Sequence, residues 1–184
     1  MVELLQEIEA APETYPNVMP YAHTNFDPPL DQDAAVPSAM IWQRIEAHVA
    51  HRWTPREVVW IVRGPGEWTP RLTPATVTAQ EVWDGSAWIA ASLSASPLGG
   101  YELAGEGPYR LTATVGGGDV PEAVQEAFRR LHEYARGIAE SWRNETAIYR
   151  SDGGQTGSQA VASWAGKAIQ LSGAADLLRP YRRA

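Results

Sequence analysis

The feature that most constrains this chain is a block of β-type sequence, residues 56–115, enclosed by two helical segments. Short apolar or alternating runs in this block are separated by glycine, proline and Asp-Gly turns, which predicts several short strands. Turns this short join antiparallel neighbours, because a parallel crossover needs a dozen or more residues. We therefore expect an α+β fold: a small helical bundle, with two main helices and a C-terminal helix, into which an antiparallel β-meander is inserted.

The strands of the meander are predicted from runs of β-branched and aromatic residues. The dipeptide Asp84-Gly85 is a strong hairpin signal, because the tight turns that join antiparallel strands require positive φ angles. We expect a hairpin at this point and strands in the runs on both sides of it, which are residues 58–62, 76–83, 88–93, 101–103 and 109–115.

Helices are predicted on both sides of the β-block. Residues 38–53 carry apolar side chains at spacings of three and four, and Pro55 is expected to end that helix. The run Asp119-Val120-Pro121-Glu122 is typical of a helix start and predicts a long helix over residues 120–145. A glycine-rich loop at 150–158 then precedes the C-terminal helix and tail, expected within residues 158–184.

Residues 1–37 differ from the rest of the chain in charge and in proline content. They contain seven acids, six prolines and no Lys or Arg, so the whole net charge of -7 lies there. Residues 2–10 are compatible with a short helix, and the prolines favour an extended course beyond it. We expect an acidic, Pro-rich arm followed by a folded domain over residues 38–184, and hypothesise that the arm lies along a neighbouring subunit or partner.

Composition excludes several classes of protein. The chain has no cysteine, so disulfides, thiolate nucleophiles and Cys-zinc sites are excluded. It lacks the basic face that a groove-binding nucleic-acid protein needs, and no apolar run approaches the length of a membrane span. We expect neither membrane nor nucleic acid to be a binding partner of the folded chain.

Signals of catalysis are weak throughout. His48 and His51 lie three residues apart near Glu46, but no third metal ligand is indicated. There is no Gly-x-Ser-x-Gly motif, and the glycines at 116–118 lack the lysine of a phosphate-binding loop. We expect no catalytic, cofactor-binding or metal-binding residues, and a small enzyme is the weakest alternative.

Two other features of the sequence are typical of a protein that binds partners. The β-block holds four tryptophans that either bury a small sheet, form contacts between subunits or stack sugars: Trp60, Trp68, Trp83 and Trp88. The final residues change from hydrophobic to aromatic and basic, which is typical of a peptide that docks on a partner. This docking tail consists of Leu177, Leu178, Arg179, Pro180, Tyr181, Arg182 and Arg183.

Three stretches resemble the head–tail connector (adaptor) proteins of tailed bacteriophages and gene transfer agents. Residues 41–60 resemble the helix that leads into a Trp-bearing strand. Residues 108–117 and the Val-Pro-Glu sequence at 120–122 resemble the junction before the long helix. The tail resembles the closing Leu-Leu-x-Pro-Tyr-Arg of that family. Residues 1–37 lie outside the resemblance.

The resemblance implies a structural role and not an enzymatic one. Such proteins form a ring with copies of themselves, commonly twelve, at the neck of the virion after assembly in the host cytoplasm. The resemblance implies that the tail docks on the portal protein, that the other face receives stopper or tail proteins, and that DNA passes through the channel as cargo. The alternative left open by the residues is a glycan-binding module that uses the tryptophans of the sheet.

Overall fold

The computed structural model describes residues 1–21, 36–97, 99–152 and 167–182. Its contacts divide the chain into two units. The sheet unit comprises Met1–Thr14 and Ala50–Asp119, and the helical unit comprises Tyr15–Val49 and Val120–Ala184. The elements in chain order are β1 (Glu3–Glu9), α1 (Ser38–His48), β2 (Arg56–Arg63), β3 (Gly66–Trp68), β4 (Ala75–Trp83), β5 (Trp88–Ala90), β6 (Ser94–Ala95), β7 (Tyr101–Leu103), β8 (Tyr109–Val115), α2 (Glu122–Asp152), α3 (Ala168–Leu171), α4 (Ala174–Leu177) and a 3-10 helix (Arg179–Tyr181).

The sheet unit contains two antiparallel sheets. The larger has the order β1-β2-β8-β4-β5, so the last strand of the block lies between β2 and β4. The smaller has the order β3-β7-β6. Strands β1 and β5 therefore form the two edges of the larger sheet.

The core of the sheet unit lies on one face of the larger sheet. Successive side chains of a strand point to opposite faces, and Trp60 lies directly opposite Leu111 across β2 and β8. Both are fully buried, and the smaller sheet contributes Trp68 and Leu103 to the same cluster. We call this side the core face and the opposite side of the larger sheet the outer face.

The predicted helical bundle with an inserted meander is wrong. The described residues form eight strands in two antiparallel sheets, with a separate hydrophobic core of their own. The order of strands is not sequential, because β8 returns between β2 and β4. Short turns correctly indicated antiparallel pairing, but they left open which strands become neighbours.

Two segments that were predicted to be helical also differ from the prediction in the structure. Residues 3–9 form strand β1, which pairs with β2. Helix α1 ends at His48 and not at residue 53, because residues 50–52 bond to a separate segment: the amide of Arg52 donates to the carbonyl of Thr73 at 2.8 Å, and the amide of Thr73 donates to Ala50 at 3.0 Å. These bonds replace the i to i−4 bonds that another helical turn would require.

The hairpin at Asp84-Gly85 is confirmed. Strands β4 and β5 pair with Trp83 opposite Trp88. Only Gly85 in this turn has positive φ, at 104°. The carboxylate of Asp84 accepts hydrogen bonds from the amides of Ser86 and Ala87, each at 2.8 Å, and so holds the loop closed.

The helical unit is built on the amphipathic helix α2. Trp42 on α1 packs against Phe128 on α2 with ring centroids 5.3 Å apart. The indole nitrogen of Trp42 donates to the carbonyl of Pro16 at 2.9 Å, so part of the proline-rich segment packs on this unit. Tyr21 donates to Glu126 at 2.8 Å, which raises the pKa of the tyrosine through that hydrogen bond.

Parts of the sequence predictions lie outside the described residues. These are the acids Asp27, Asp31 and Asp33 of the expected arm, most of the loop at 150–158, the predicted helical residues up to 166, and Arg183. Within the described residues, no helix has both the length and the apolar character that crossing a membrane would require.

Candidate interaction surface

The outer face of the larger sheet carries apolar side chains that the fold leaves accessible. One row of directly opposite residues crosses four strands, from Gln6 through Ile61 and Arg110 to Glu81. Exposed apolar side chains on this face include Ile8 on the edge strand β1 and Trp83 on β4, the neighbour of the edge strand β5. We call the set formed by Ile61, Glu81, Trp83, Trp88 and Arg110 the outer patch.

A β-bulge places Trp83 on this side. In β4, Val77 lies opposite Ala113 on the core face, but the register shifts before Ala79, which lies opposite Thr112 on the outer face. Thr78 is the extra residue, and its hydroxyl donates to the carbonyl of Thr112 at 3.2 Å. Strict alternation would have put Val77 and Trp83 on the same face, and the bulge reverses this for the second half of the strand.

The outer patch has a fixed arrangement. The rings of Trp83 and Trp88 meet edge to face, with centroids 5.4 Å apart and an interplanar angle of 62°. The guanidinium carbon of Arg110 lies 4.7 Å from the ring centroid of Trp88. Arg110 also donates twice to Glu81, at 2.6 Å and 2.7 Å, in a bidentate ion pair.

The ion pair favours the charged forms of both partners in the patch. The hydrogen bond from Arg110 is the main cause that lowers the pKa of Glu81, and the charge of the guanidinium acts in the same direction. The same hydrogen bond raises the pKa of Arg110. Both oxygens of the carboxylate accept from Arg110, so this group is suited to holding the arginine over Trp88 and not to donating a proton.

The four tryptophans singled out in the sequence separate into two pairs. Trp60 and Trp68 also meet edge to face, with centroids 5.5 Å apart, but they are buried in the core. Their burial removes them from any contact between subunits that leaves the fold intact. Trp83, which is 37% exposed, and its neighbour Trp88 are the pair available to a partner.

The predicted docking tail is folded onto the helical unit. Leu178 is fully buried, while Arg179, Pro180 and Arg182 are exposed around the 3-10 helix. Leu177 and Tyr181 are half-buried. The tail therefore presents basic side chains from a short helical segment that Leu178 anchors, and it is not an extended peptide.

A cluster at strand β1 was not predicted from the sequence. The carboxylate of Glu9 accepts from Arg52 at 2.6 Å and 3.0 Å and from Arg56 at 3.0 Å, and both arginines are buried. Burial by itself would raise the pKa of Glu9, but the hydrogen bonds and charges of the two arginines outweigh it and hold that pKa below its usual value. The only available sequence signal was the alternation of Glu7, Ile8 and Glu9.

The expected arm therefore needs correction in its described part. Glu7 accepts a hydrogen bond from the indole nitrogen of Trp60 at 2.7 Å, and Glu9 binds two arginines of the same chain. Two acids of the expected arm therefore hold β1 on the sheet of its own chain in this structure.

His48 and His51 do not share a helix in the structure. Helix α1 ends at His48, so the helical spacing to His51 is lost. Burial is the main cause that lowers the pKa of each histidine, with a smaller effect from Arg182 on His48 and from Arg52 on His51. Among the described residues, no group of three or more His, Asp or Glu side chains could hold a metal ion.

Comparison with known protein families, with curated proteins and with solved structures found no match.

Proposed function

We propose that this chain is the subunit of a ring-shaped head–tail adaptor, located between the portal and the stopper or tail proteins of a phage-like particle. The observation that carries the proposal is the outer patch, where accessible apolar side chains surround an internally neutralised ion pair. Tryptophan and arginine are enriched in protein interfaces, particularly at their energetic centres. The occupant that we assign to the patch is a second copy of the chain.

The charge of the outer patch suits contact between identical copies. Because Glu81 and Arg110 neutralise each other, the centre of the patch brings no net charge into the contact. A ring requires a heterologous interface, in which the patch meets a different surface of the next copy and rotation closes the assembly.

The tail suits a separate contact with the portal. Leu178 fixes the 3-10 helix to its own unit, and Arg179 and Arg182 remain exposed beside it. Exposed arginines on a rigid segment can form bidentate pairs with carboxylates of a partner. In the proposed assembly these side chains contact the portal, and the opposite side of the ring receives the stopper or tail.

Passage of DNA agrees with the charge distribution. From residue 38 onward the chain contains 15 acids and 15 bases, so the remainder of the chain has no net charge. A lining without excess positive charge does not retain phosphates by counterion release. DNA is therefore cargo of the ring in this proposal and not a ligand of the subunit.

The geometry supports the glycan-binding alternative less well. Sugar rings stack on flat, accessible aromatic faces. The two rings of the outer patch are inclined by 62°, and the guanidinium of Arg110 lies over Trp88. Trp83 offers a partly exposed ring, but the two inclined rings together do not form a flat surface for stacking. We therefore expect no change in tryptophan fluorescence on titration with polysaccharides.

Assembly of the purified chain tests the role of the outer patch. We expect rings in electron micrographs and a large species in sedimentation velocity, both lost in Trp83→Ala. The control is Leu171→Ala, which removes a side chain that is 53% exposed in the helical unit and should leave rings intact. Rings that persist in Trp83→Ala, or the absence of rings in the unaltered chain and in neck reconstructions of particles, would contradict the proposal.

A second prediction concerns the tail. We expect the charge reversals Arg179→Glu and Arg182→Glu together to reduce portal binding at least tenfold in a pull-down titration, without lowering the melting temperature. Leu178→Ala should instead destabilise the chain by about 2–4 kcal/mol, since it empties a buried site. Unchanged portal affinity in the folded double variant would refute the docking role.

A further inference from the structure

Strand β1 is connected to its sheet differently from the other strands of the sheet unit. The chain leaves that unit after Thr14, contributes residues 15–49 to the helical unit and returns at Ala50. Strand β1 therefore reaches its partner β2 without any short connection, and it lies at an edge of the larger sheet. Its place depends on contacts with the sheet and not on a turn.

These contacts are specific to the sequence of β1. Its residues pair with β2 from Glu3 opposite Arg63 to Glu9 opposite Val58, with a bulge between Leu4 and Gln6. At the end of the ladder, Glu9 receives hydrogen bonds from Arg52 and Arg56. At the start, the chain passes so close to Gly64 that a Cβ atom there would lie 2.5 Å from the carbonyl oxygen of Met1.

We call the part of the sheet unit that β1 covers its seat. Leaving this seat without a strand is unfavourable. Without β1, the buried guanidinium groups of Arg52 and Arg56 would lose their shared carboxylate, and Trp60 would lose the acceptor of its indole N–H. Removing the partner of a buried charge is strongly destabilising. A strand that fills this seat must supply a carboxylate at the position of Glu9 and a hydrogen-bond acceptor at the position of Glu7.

The residues that follow β1 allow the strand to extend away from its own sheet. The amide of Ala10 still donates to the carbonyl of Glu57 at 2.9 Å, but Pro12 and Pro16 have no amide hydrogen and interrupt any further ladder or helix. The four residues 11–14 in extended conformation span roughly 13 Å, enough to direct β1 towards an adjacent molecule.

We propose that β1 is exchanged between copies, so that residues 1–9 of one chain complete the sheet of the next. This inference rests on the proposed function in that the ring supplies the neighbouring copy. Exchange reproduces each contact of the closed monomer, including those of Glu7 and Glu9, and therefore has a low free-energy cost. Repeated from each copy to the next, it links the ring in a continuous series.

The absence of cysteine from the chain allows a direct test. Ile8 and Val59 lie directly opposite each other across β1 and β2, and Ile8 is 52% exposed. We expect the double variant Ile8→Cys, Val59→Cys, oxidised after assembly, to give covalent multimers on a non-reducing denaturing gel. When it is oxidised as a dilute monomer, we expect an intramolecular bond and loss of assembly, restored by reduction.

The matched control pairs two exposed positions of β2 and β8, strands that are not exchanged. Glu57→Cys with Thr114→Cys joins directly opposite residues and should cross-link only within a chain. Intermolecular bonds of the β1 pair in concentrated protein support exchange even if microscopy shows no ring. Bonds confined to single chains at every concentration overturn it, even if rings form and the proposed function holds.

Discussion

The two tryptophan pairs of the sheet unit have nearly the same geometry and opposite environments. Trp60 and Trp68 meet at 5.5 Å and 62°, and Trp83 and Trp88 meet at 5.4 Å and 62°. The first pair is buried in the core, and the second lies on the outer face. The comparison shows that side-chain identity and pair geometry do not determine whether such a pair is buried; its location in the core cluster or on the outer face does.

The largest loss of stability is expected from a substitution in the buried pair, and it sharpens the comparison with the exposed pair. Trp60→Ala should lower the free energy of unfolding by about 3–5 kcal/mol, because it leaves a cavity among fully buried residues. Urea denaturation followed by circular dichroism measures it. A loss below about 1 kcal/mol would show that the Trp60 side chain is not part of a close-packed core.

The next effect concerns the seat of β1 beside the buried pair. Glu9→Gln should destabilise the chain by about 2–4 kcal/mol, because it removes the charge shared by two buried arginines. The control is Glu13→Gln, the same charge change at an exposed position of the same segment, which should alter stability by less than about 0.5 kcal/mol. Equal effects of the two variants would contradict the role of the cluster.

The dependence of stability on pH follows from the carboxylate of Glu9. The pKa of Glu9 is lower in the folded chain than in the unfolded chain, so its contribution to stability is complete above the unfolded value and is lost as pH falls through the folded one. Denaturation at neutral pH and at about pH 3 should therefore show a difference between Glu9→Gln and the unaltered chain that shrinks on acidification. A difference that is constant or grows would be inconsistent with the ion pair.

The smallest effect on stability is expected in the exposed pair. Trp83→Ala should change the free energy of unfolding by less than about 1 kcal/mol, since its ring is partly solvated and lies outside the buried core cluster. The same urea titration used for Trp60→Ala measures it. A loss as large as that of Trp60→Ala would erase the distinction between the two pairs and would place Trp83 in the fold instead of the interface.

Part of this arrangement was predictable from the sequence. The Asp84-Gly85 hairpin and the strands at 101–103 and 109–115 follow from local residue preferences, and the structure has them. The placement of Trp83 did not follow, because the bulge at Thr78 reverses the face of the strand without any marked change in composition.

The order of strands and the site of β1 depend on contacts that are distant in sequence. Glu9 pairs with arginines 43 and 47 residues away, and a segment with an acidic, helix-compatible composition becomes a strand because β2 offers it a ladder and a charge partner. Local patterns do not encode such tertiary contacts, which routinely override weak propensities. The same limit led to the incorrect prediction of a helical bundle.

The most direct test of the account is an electron cryomicroscopy reconstruction of the assembled chain, alone or at the neck of its particle. We predict that Trp83 and Trp88 lie at the contact between neighbouring copies, while Trp60 and Trp68 remain inside each subunit. A ring in which the outer patch faces solvent, or an assembly in which the chain has no neighbouring copy, would contradict the central claim.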